Sequence, residues 1–428
     1  MKNILFILPW LPYPLKSGGH QAIFNGIKAV VNDYNVFITY NEDATEDSSL
    51  KQNNLIKELG GHINIIPYKK EQKKEPTSFV LRSYIAFWNL IENIKRKLGL
   101  TKEKFAPSFY QINIQSNRRA LFLQDIITKN NINIVQCEMM SCISDVLLLP
   151  QNIKKIYVQH EIAYARSMLE LQAHGIATEY QDFFIQSKKI EIFLLNHFDA
   201  IIALSNHDKD TMEKDGVTIP IYVSPPIITT EPRPFSNEKK KKILSFVGPS
   251  NHTPNLEGIL WFLNKSWKYL KKIDSEYTLQ IIGEWDDSCK KNIQQYFPEV
   301  YFCGFVSELE KYIKNTIMIV PITIGSGIRM KILEAISLSV PVVSTVIGAQ
   351  GLPLENAKDC FITDDPIEFA NDIIKLCDEK TQEKITIQAQ KSIANKYSFF
   401  ALKENRTFIY NSSTLFSPLN SNCRPQTN

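Results

Sequence analysis

No apolar run in the 428 residues approaches the roughly 18 to 20 needed to cross a bilayer as a helix, so no spanning segment is expected. No C-x-x-C pair occurs either. The seven cysteines (Cys137, Cys142, Cys289, Cys303, Cys360, Cys377, Cys423) are odd in number and dispersed. That spacing speaks against a disulfide framework or a zinc site and for reduced core thiols in a cytoplasmic protein. An excess of one charge sign is also missing: the formal net charge is +4, too small to mark a nucleic-acid partner. The dinucleotide fingerprint G-x-G-x-x-G is absent, and Gly325-Ser-Gly-Ile-Arg-Met-Lys331 lacks P-loop spacing. No Asp-x-Asp cluster lies near that stretch. The opening Met1–Leu8 has the basic start and apolar run of a short leader, but Pro9, Pro12 and Pro14 interrupt it and no small-residue cleavage site follows. A buried first strand is expected instead.

What is present is ordinary globular composition, 44% hydrophobic and 22% charged, at a length where one core gives way to two. Short apolar runs alternate with stretches of helical period. Ile4–Leu8, Val36–Tyr40, Ile63–Ile66, Ile132–Gln136, Lys155–Gln159 and Ala200–Ala203 read as strands in the first half. In the second half Ile243–Val247, Leu279–Ile282, Val300–Cys303, Thr316–Val320 and Pro341–Ser344 do so, with helices at Ala22–Val31, Gly258–Leu270 and Phe399–Tyr410. Alternation of this kind makes the fold class α/β, one doubly wound parallel sheet in each half. A proline-bearing, lysine-rich stretch at 229–242 reads as the linker. The expected organisation is an N-terminal domain, 1–228, a C-terminal domain, 243–395, a helical segment, 396–414, that can pack back on the N-domain, and a tail, 415–428.

One segment departs from the average. Tyr68 to Phe105 carries ten Lys or Arg against four Glu, a net of +6, with Tyr84, Phe87, Trp88, Ile91 and Ile94 three or four apart. Such a stripe rests on an anionic membrane surface or packs on the N-terminal sheet with its charges solvated, and both readings stay open.

The most informative stretch runs from Val320 to Thr345. A strand ends at Val320, Gly325 and Gly327 punctuate a loop, and a helix begins near Ile328. Glycines let backbone N–H groups approach an anion, and a helix start adds its positive end. Arg329 and Lys331 put two cations beside that end, where they oppose the helix dipole. A bound diphosphate accounts for both. Glu334, three residues on, shares the helix face with Lys331 and is placed to accept ribose hydroxyls.

Pro321-x-x-x-Gly325-x-Gly327-x-Arg329-x-Lys331-x-x-Glu334-Ala335, followed by Pro341-Val-Val, resembles the donor-site motif of family-4 retaining glycosyltransferases with the GT-B fold. The resemblance extends over most of the chain. Phe246-Val-Gly248 with Pro254-Asn255, Ile281-Ile-Gly283, Phe302-Cys-Gly304-Phe-Val306, Asp199 to Ser205 and the glycine loop Ser17-Gly18-Gly19 are similar to family segments in order and spacing. It implies two facing Rossmann-like domains, the first for the acceptor and the second for the donor. It also implies a UDP- or GDP-type nucleotide-sugar as co-substrate, with no cofactor and no required metal. His160, after the strand Lys155–Gln159, resembles the family histidine beside the donor sugar and joins Arg329 and Lys331 as the catalytic set. Gly18, Gly19, Gly248, Asn251, Val306, Gly325, Ser326, Gly327, Ile328 and Glu334 are the implied donor contacts, and Glu138 is expected to face the acceptor. Ser326 stands where many relatives carry a sugar-contacting Glu, and Ser339 where a Gly usually stands.

The expected reaction is transfer with retention, the diphosphate leaving as the acceptor hydroxyl attacks the same face of the sugar. A glycan or lipid-linked acceptor in envelope polysaccharide synthesis, met at the inner membrane face, follows from family habit. A GT-B-fold epimerase, a nicotinamide-dependent dehydrogenase and a non-catalytic nucleotide-sugar-binding partner remain as alternatives.

Overall fold

The computed structural model describes residues 1–42, 48–69, 116–176, 178, 180–228, 232–235 and 242–412. Most of the basic segment 68–105, much of the linker and the tail lie outside them.

The first sheet is wholly parallel, in the order β3-β2-β1-β5-β6-β7-β8, with β4 beside β2. Its strands are β1 (Asn3–Leu8), β2 (Asn35–Glu42), β3 (Ile63–Ile65), β4 (Tyr68–Lys69), β5 (Ile134–Glu138), β6 (Lys154–Gln159), β7 (Ala200–Ala203) and β8 (Ile221–Val223). Alternation along β1 supplies both faces. Ile4, Phe6 and Leu8 enter one apolar cluster, and Leu5 and Ile7 the other. Burial of each such side chain is worth about 1.5–3 kcal/mol, which fixes β1 at the centre of the sheet.

The second sheet, β11-β10-β9-β12-β13-β14, is also parallel. It comprises β9 (Ile243–Val247), β10 (Thr278–Ile282), β11 (Val300–Gly304), β12 (Ile317–Val320), β13 (Val342–Ser344) and β14 (Phe361–Ile362). Helices cover its faces, so its strands read as continuous apolar runs, as at Ile317–Val320. The helix expected at Gly258–Leu270 starts earlier, at Thr253 with Pro254 in its first turn. It passes through a π-turn at Phe262–Ser266 before resuming as Trp267–Ile273.

After the second sheet the chain returns to the first. The helix Phe399–Asn411 sets Leu402, Ile409 and Tyr410 into the same cluster as Ile4 and Phe6. Lys154 Nζ, at the start of β6, donates to the carbonyl oxygens of Ile409 and Ser412, at 2.6 Å each, pinning the end of that helix.

The glycine pair near the N-terminus is a correction. Gly18 and Gly19 do not form a loop; they open the helix Gly18–Lys28, because Ser17 Oγ accepts from the His20 N–H and caps it. Both remain close-approach positions. A Cβ on Gly18 would lie 2.9 Å from the Met330 side chain of the other domain, and one on Gly19 2.8 Å from Met139.

Candidate functional site

In parallel sheets ligands meet the carboxyl ends of the strands, and here the two sheets turn those ends toward each other. β12 delivers the loop 321–329, and the helix Met330–Ser337 follows. Gly325 has φ +136 and Gly327 φ +76, values that side chains rarely adopt. A Cβ on Gly327 would stand 2.3 Å from the His160 carbonyl oxygen, across the cleft. Ser326 Oγ donates to the Ile162 carbonyl oxygen at 3.1 Å, so this loop is also the point where the domains touch.

The two cations on the loop are poorly matched by the protein. Arg329 Nη1 donates to the Ser326 and Gly327 carbonyl oxygens of its own loop, while Nη2 is buried without a partner. Lys331 Nζ donates to Asn255 Oδ1 at 2.8 Å and lies 4.1 Å over the Phe246 ring. Neither forms an ion pair among the described residues. Loss of water around Lys331, reinforced by Arg329 and partly offset by Glu334, pushes its ammonium down to about 7. Desolvation lowers Arg329 as well, against the pull of Glu161 and Asp208. Desolvation raises the Glu334 carboxyl, opposed by the hydrogen bond from Gln21 and by Lys331.

That Gln21 bond, 2.7 Å from Nε2 to Glu334 Oε1, comes from the other domain. Together with Ser326–Ile162 it closes the cleft over the loop. A cavity of about 290 Å³ remains beside Gly325 and Ser326, walled by Ile162, Met168, Phe184 and His207.

On the N-domain side β6 ends at Gln159 and places His160 at the rim, its side chain 10% exposed. Its Nε2 is 2.6 Å from Glu138 Oε2. The strand boundary before it differs from the expectation. The strand runs to residue 138 rather than stopping at Gln136, so Glu138 is its buried last residue, 1% exposed. Gln136 Nε2 donates to its other oxygen at 2.5 Å. Both oxygens are thus engaged within the protein, one with Gln136 and one with His160.

The remaining expected residues spread around the same rim. Gly248, φ +147, follows β9 and gives its carbonyl oxygen to Trp285 Nε1 at 2.8 Å. Asn251 is exposed on the next loop, and Val306 packs on the C-domain core just beyond β11. Ile328 packs against the cores of both domains, so its side chain is a domain contact. Gln21 and Asn255 were missing from the expected set. Asn255 had a signal, since Pro254-Asn255 belongs to the motif; Gln21 had none, because only closure brings it to Glu334.

Comparison with known proteins bears on the family and the fold. Residues 241–379 match the family model Glycosyl transferases group 1. A Klebsiella pneumoniae protein, named as an uncharacterized 44.6 kDa protein in cps region, is 23% identical over 98% of this chain and 99% of its own length. Among solved structures, TarM superposes with a TM-score of 0.67 at 15% identity, covering 96% of this chain and 99% of TarM. Anabaena HepE in complex with UDP and glucose gives 0.65 at 12%, covering 96% and 100%. Sucrose-phosphate synthase from Thermosynechococcus elongatus gives 0.67 at 12%, covering 96% and 98%.

Proposed function

We propose that this chain, which has the GT-B fold and matches the family model Glycosyl transferases group 1 over residues 241–379, transfers a sugar from a UDP-sugar, with retention, to a glycan or lipid-linked acceptor of an envelope polysaccharide. The observation that carries the donor is the pair Arg329 and Lys331, two cations in the interdomain cleft with no carboxylate bound to either among the described residues. A diphosphate gives Arg329 Nη2 the acceptor it lacks and keeps Lys331 charged. HepE crystallises with UDP and glucose, and a Staphylococcus aureus TarM mutant with UDP and alpha-GlcNAc-glycerol, which supports uridine over guanosine. The relative named for a cps region supports the acceptor class. The net +6 of residues 68–105 supports acceptor delivery at an anionic membrane.

In this reading the cations and the helix start stabilise the leaving diphosphate without a metal, Glu334 takes the ribose hydroxyls in place of Gln21, and His160 lies beside the sugar. Closure by Ser326–Ile162 excludes water. A thermal-shift panel of UDP, GDP, ADP and TDP sugars tests it. At 100 times Kd the true donor adds about 2.7 kcal/mol, and the UDP sugar is expected to raise Tm most. A panel in which no nucleotide moves Tm overturns the donor site.

The low Lys331 value adds a pH dependence. Below pH 7 the ammonium is charged in the free protein; above it the amine must take up a proton before it can hold the anion. A UDP-sugar keeps a fixed charge there, so affinity should fall with rising pH, by up to about tenfold per unit. Calorimetry at pH 8 in buffers of different ionisation enthalpy should show proton uptake with the wild type and none with Lys331→Met.

A further inference from the structure

We propose that Tyr410, on the C-terminal helix, is a positioning residue for His160, acting through Gln136 and Glu138. The inference rests on the reading above that His160 serves the transfer reaction.

The connection is continuous and buried. Tyr410 Oη donates to Gln136 Oε1 at 2.5 Å, across 274 residues of sequence. Gln136 Nε2 donates to Glu138 Oε1 at 2.5 Å, and Glu138 Oε2 is 2.6 Å from His160 Nε2. Tyr410, Gln136 and Glu138 are each exposed by 1% or less. Burial, with the nearby Glu138 charge, raises the Tyr410 hydroxyl, against the pull of Arg406, so it keeps its proton and donates.

Each link fixes the next. A primary amide has one acceptor end and one donor end. With the tyrosine O–H on Oε1, the Gln136 amino group must point at Glu138; reversed, its oxygen would oppose the carboxylate. Glu138 as a carboxylate only accepts, so the His160 nitrogen that faces it, Nε2, is the one that donates. The hydroxyl therefore helps hold the carboxylate that sets the position of the histidine ring.

The helix that carries Tyr410 is held for this task. Lys154 Nζ grips its carbonyl end at Ile409 and Ser412, and the Tyr34 ring meets the Tyr410 ring edge-on at a centroid distance of 5.4 Å. Lys154 also begins β6, the strand that ends beside His160. The C-terminal helix thus touches both ends of the structure that aims the histidine, although it comes after the donor domain in the chain.

Tyr410→Phe in the full chain removes one oxygen and tests the relay. Three readouts apply: kcat against KM with the UDP-sugar that the panel selects, the nitrogen-15 spectrum of labelled histidines with His160 assigned by a His160→Gln variant, and calorimetry with UDP. The expected result is a loss of about tenfold in kcat with KM within about twofold, as for a hydrogen bond removed from a buried network. The nitrogen-15 shifts of His160 should move as its Nε2 hydrogen bond to Glu138 loosens, while UDP binding stays. In a Glu138→Gln background Tyr410→Phe should cost nothing further. Unchanged kcat and His160 shifts, or losses that multiply in that background, overturn the relay. Gln136→Met keeps the volume, removes the same link and replaces Tyr410→Phe if that variant does not fold. A wild type that binds no UDP defeats the donor reading, whereas the histidine spectrum still reports on the relay.

Discussion

Arg329→Ala is expected to lower kcat about 10²- to 10³-fold, the usual effect of removing one group aimed at developing charge, and to leave folding nearly untouched. The second half of that expectation makes the first informative. In the unliganded protein the guanidinium bonds two carbonyl oxygens of its own loop and leaves Nη2 buried without a partner. A desolvated cation with no carboxylate hydrogen-bonded to it among the described residues is a cost that the pull of Glu161 and Asp208 only partly offsets, so its removal should hold Tm steady or raise it slightly. An ordinary structural arginine behaves in the opposite way. Arg119, clamped by Asp145 through two bonds of 2.7 Å, should lose stability when replaced. Arg329→Lys is expected to recover only part of the rate, because an ammonium cannot span two phosphate oxygens as a guanidinium does. Steady-state kinetics beside a melting curve decides the matter. Rates within threefold of wild type would remove the diphosphate from this loop, as would a rate loss that merely follows a fall in Tm.

Much of this protein was readable from its sequence because both of its sheets are built from runs with a clear period. Ala200–Ala203 and Ile243–Val247 fall where the apolar pattern put them. The strands that escaped, Tyr68–Lys69, Ile221–Val223 and Phe361–Ile362, have only two or three residues. Ser17, a short polar residue before two glycines, could equally begin a turn; only the helical run after it decides for a cap. Ser339, where the resemblance implies a glycine, sits at φ +57, closing the helix Met330–Ser337, and its Oγ accepts from Gln390 at 3.0 Å. A serine thus trades backbone ease for a tie to a neighbouring helix. The site divides along the same line. Gly325, Gly327, Arg329, Lys331 and Glu334 are neighbours in sequence, so local chemistry exposed them. Gln21 beside Glu334 and Tyr410 beside Gln136 are joined only by domain closure and by the return of the last helix, and no local pattern encodes either.

Gly327→Ala should abolish that closure, with a loss of at least about 10²-fold in kcat, since a misplacement near 1 Å can cost that much. Two effects must be separated. Alanine at φ +76 carries a backbone penalty of roughly 1 kcal/mol wherever it occurs. The penalty of place is larger: the new methyl would be 2.3 Å from the His160 carbonyl oxygen, and that carbonyl belongs to the opposing domain. Backbone at the end of β6 cannot yield as a flexible side chain would, so the domains must stay apart. Gly60→Ala supplies the control, because Gly60 has φ +70 and nothing within 4 Å of a Cβ. It should show the stability loss and no change in rate. The Gly327 variant should still bind UDP within about tenfold, as the cations stay on the C-domain. Its radius of gyration with UDP should exceed that of liganded wild type, by small-angle scattering. Equal radii and equal rates would mean that the contact between Gly327 and His160 plays no part in turnover, and that the sugar is transferred in a more open cleft.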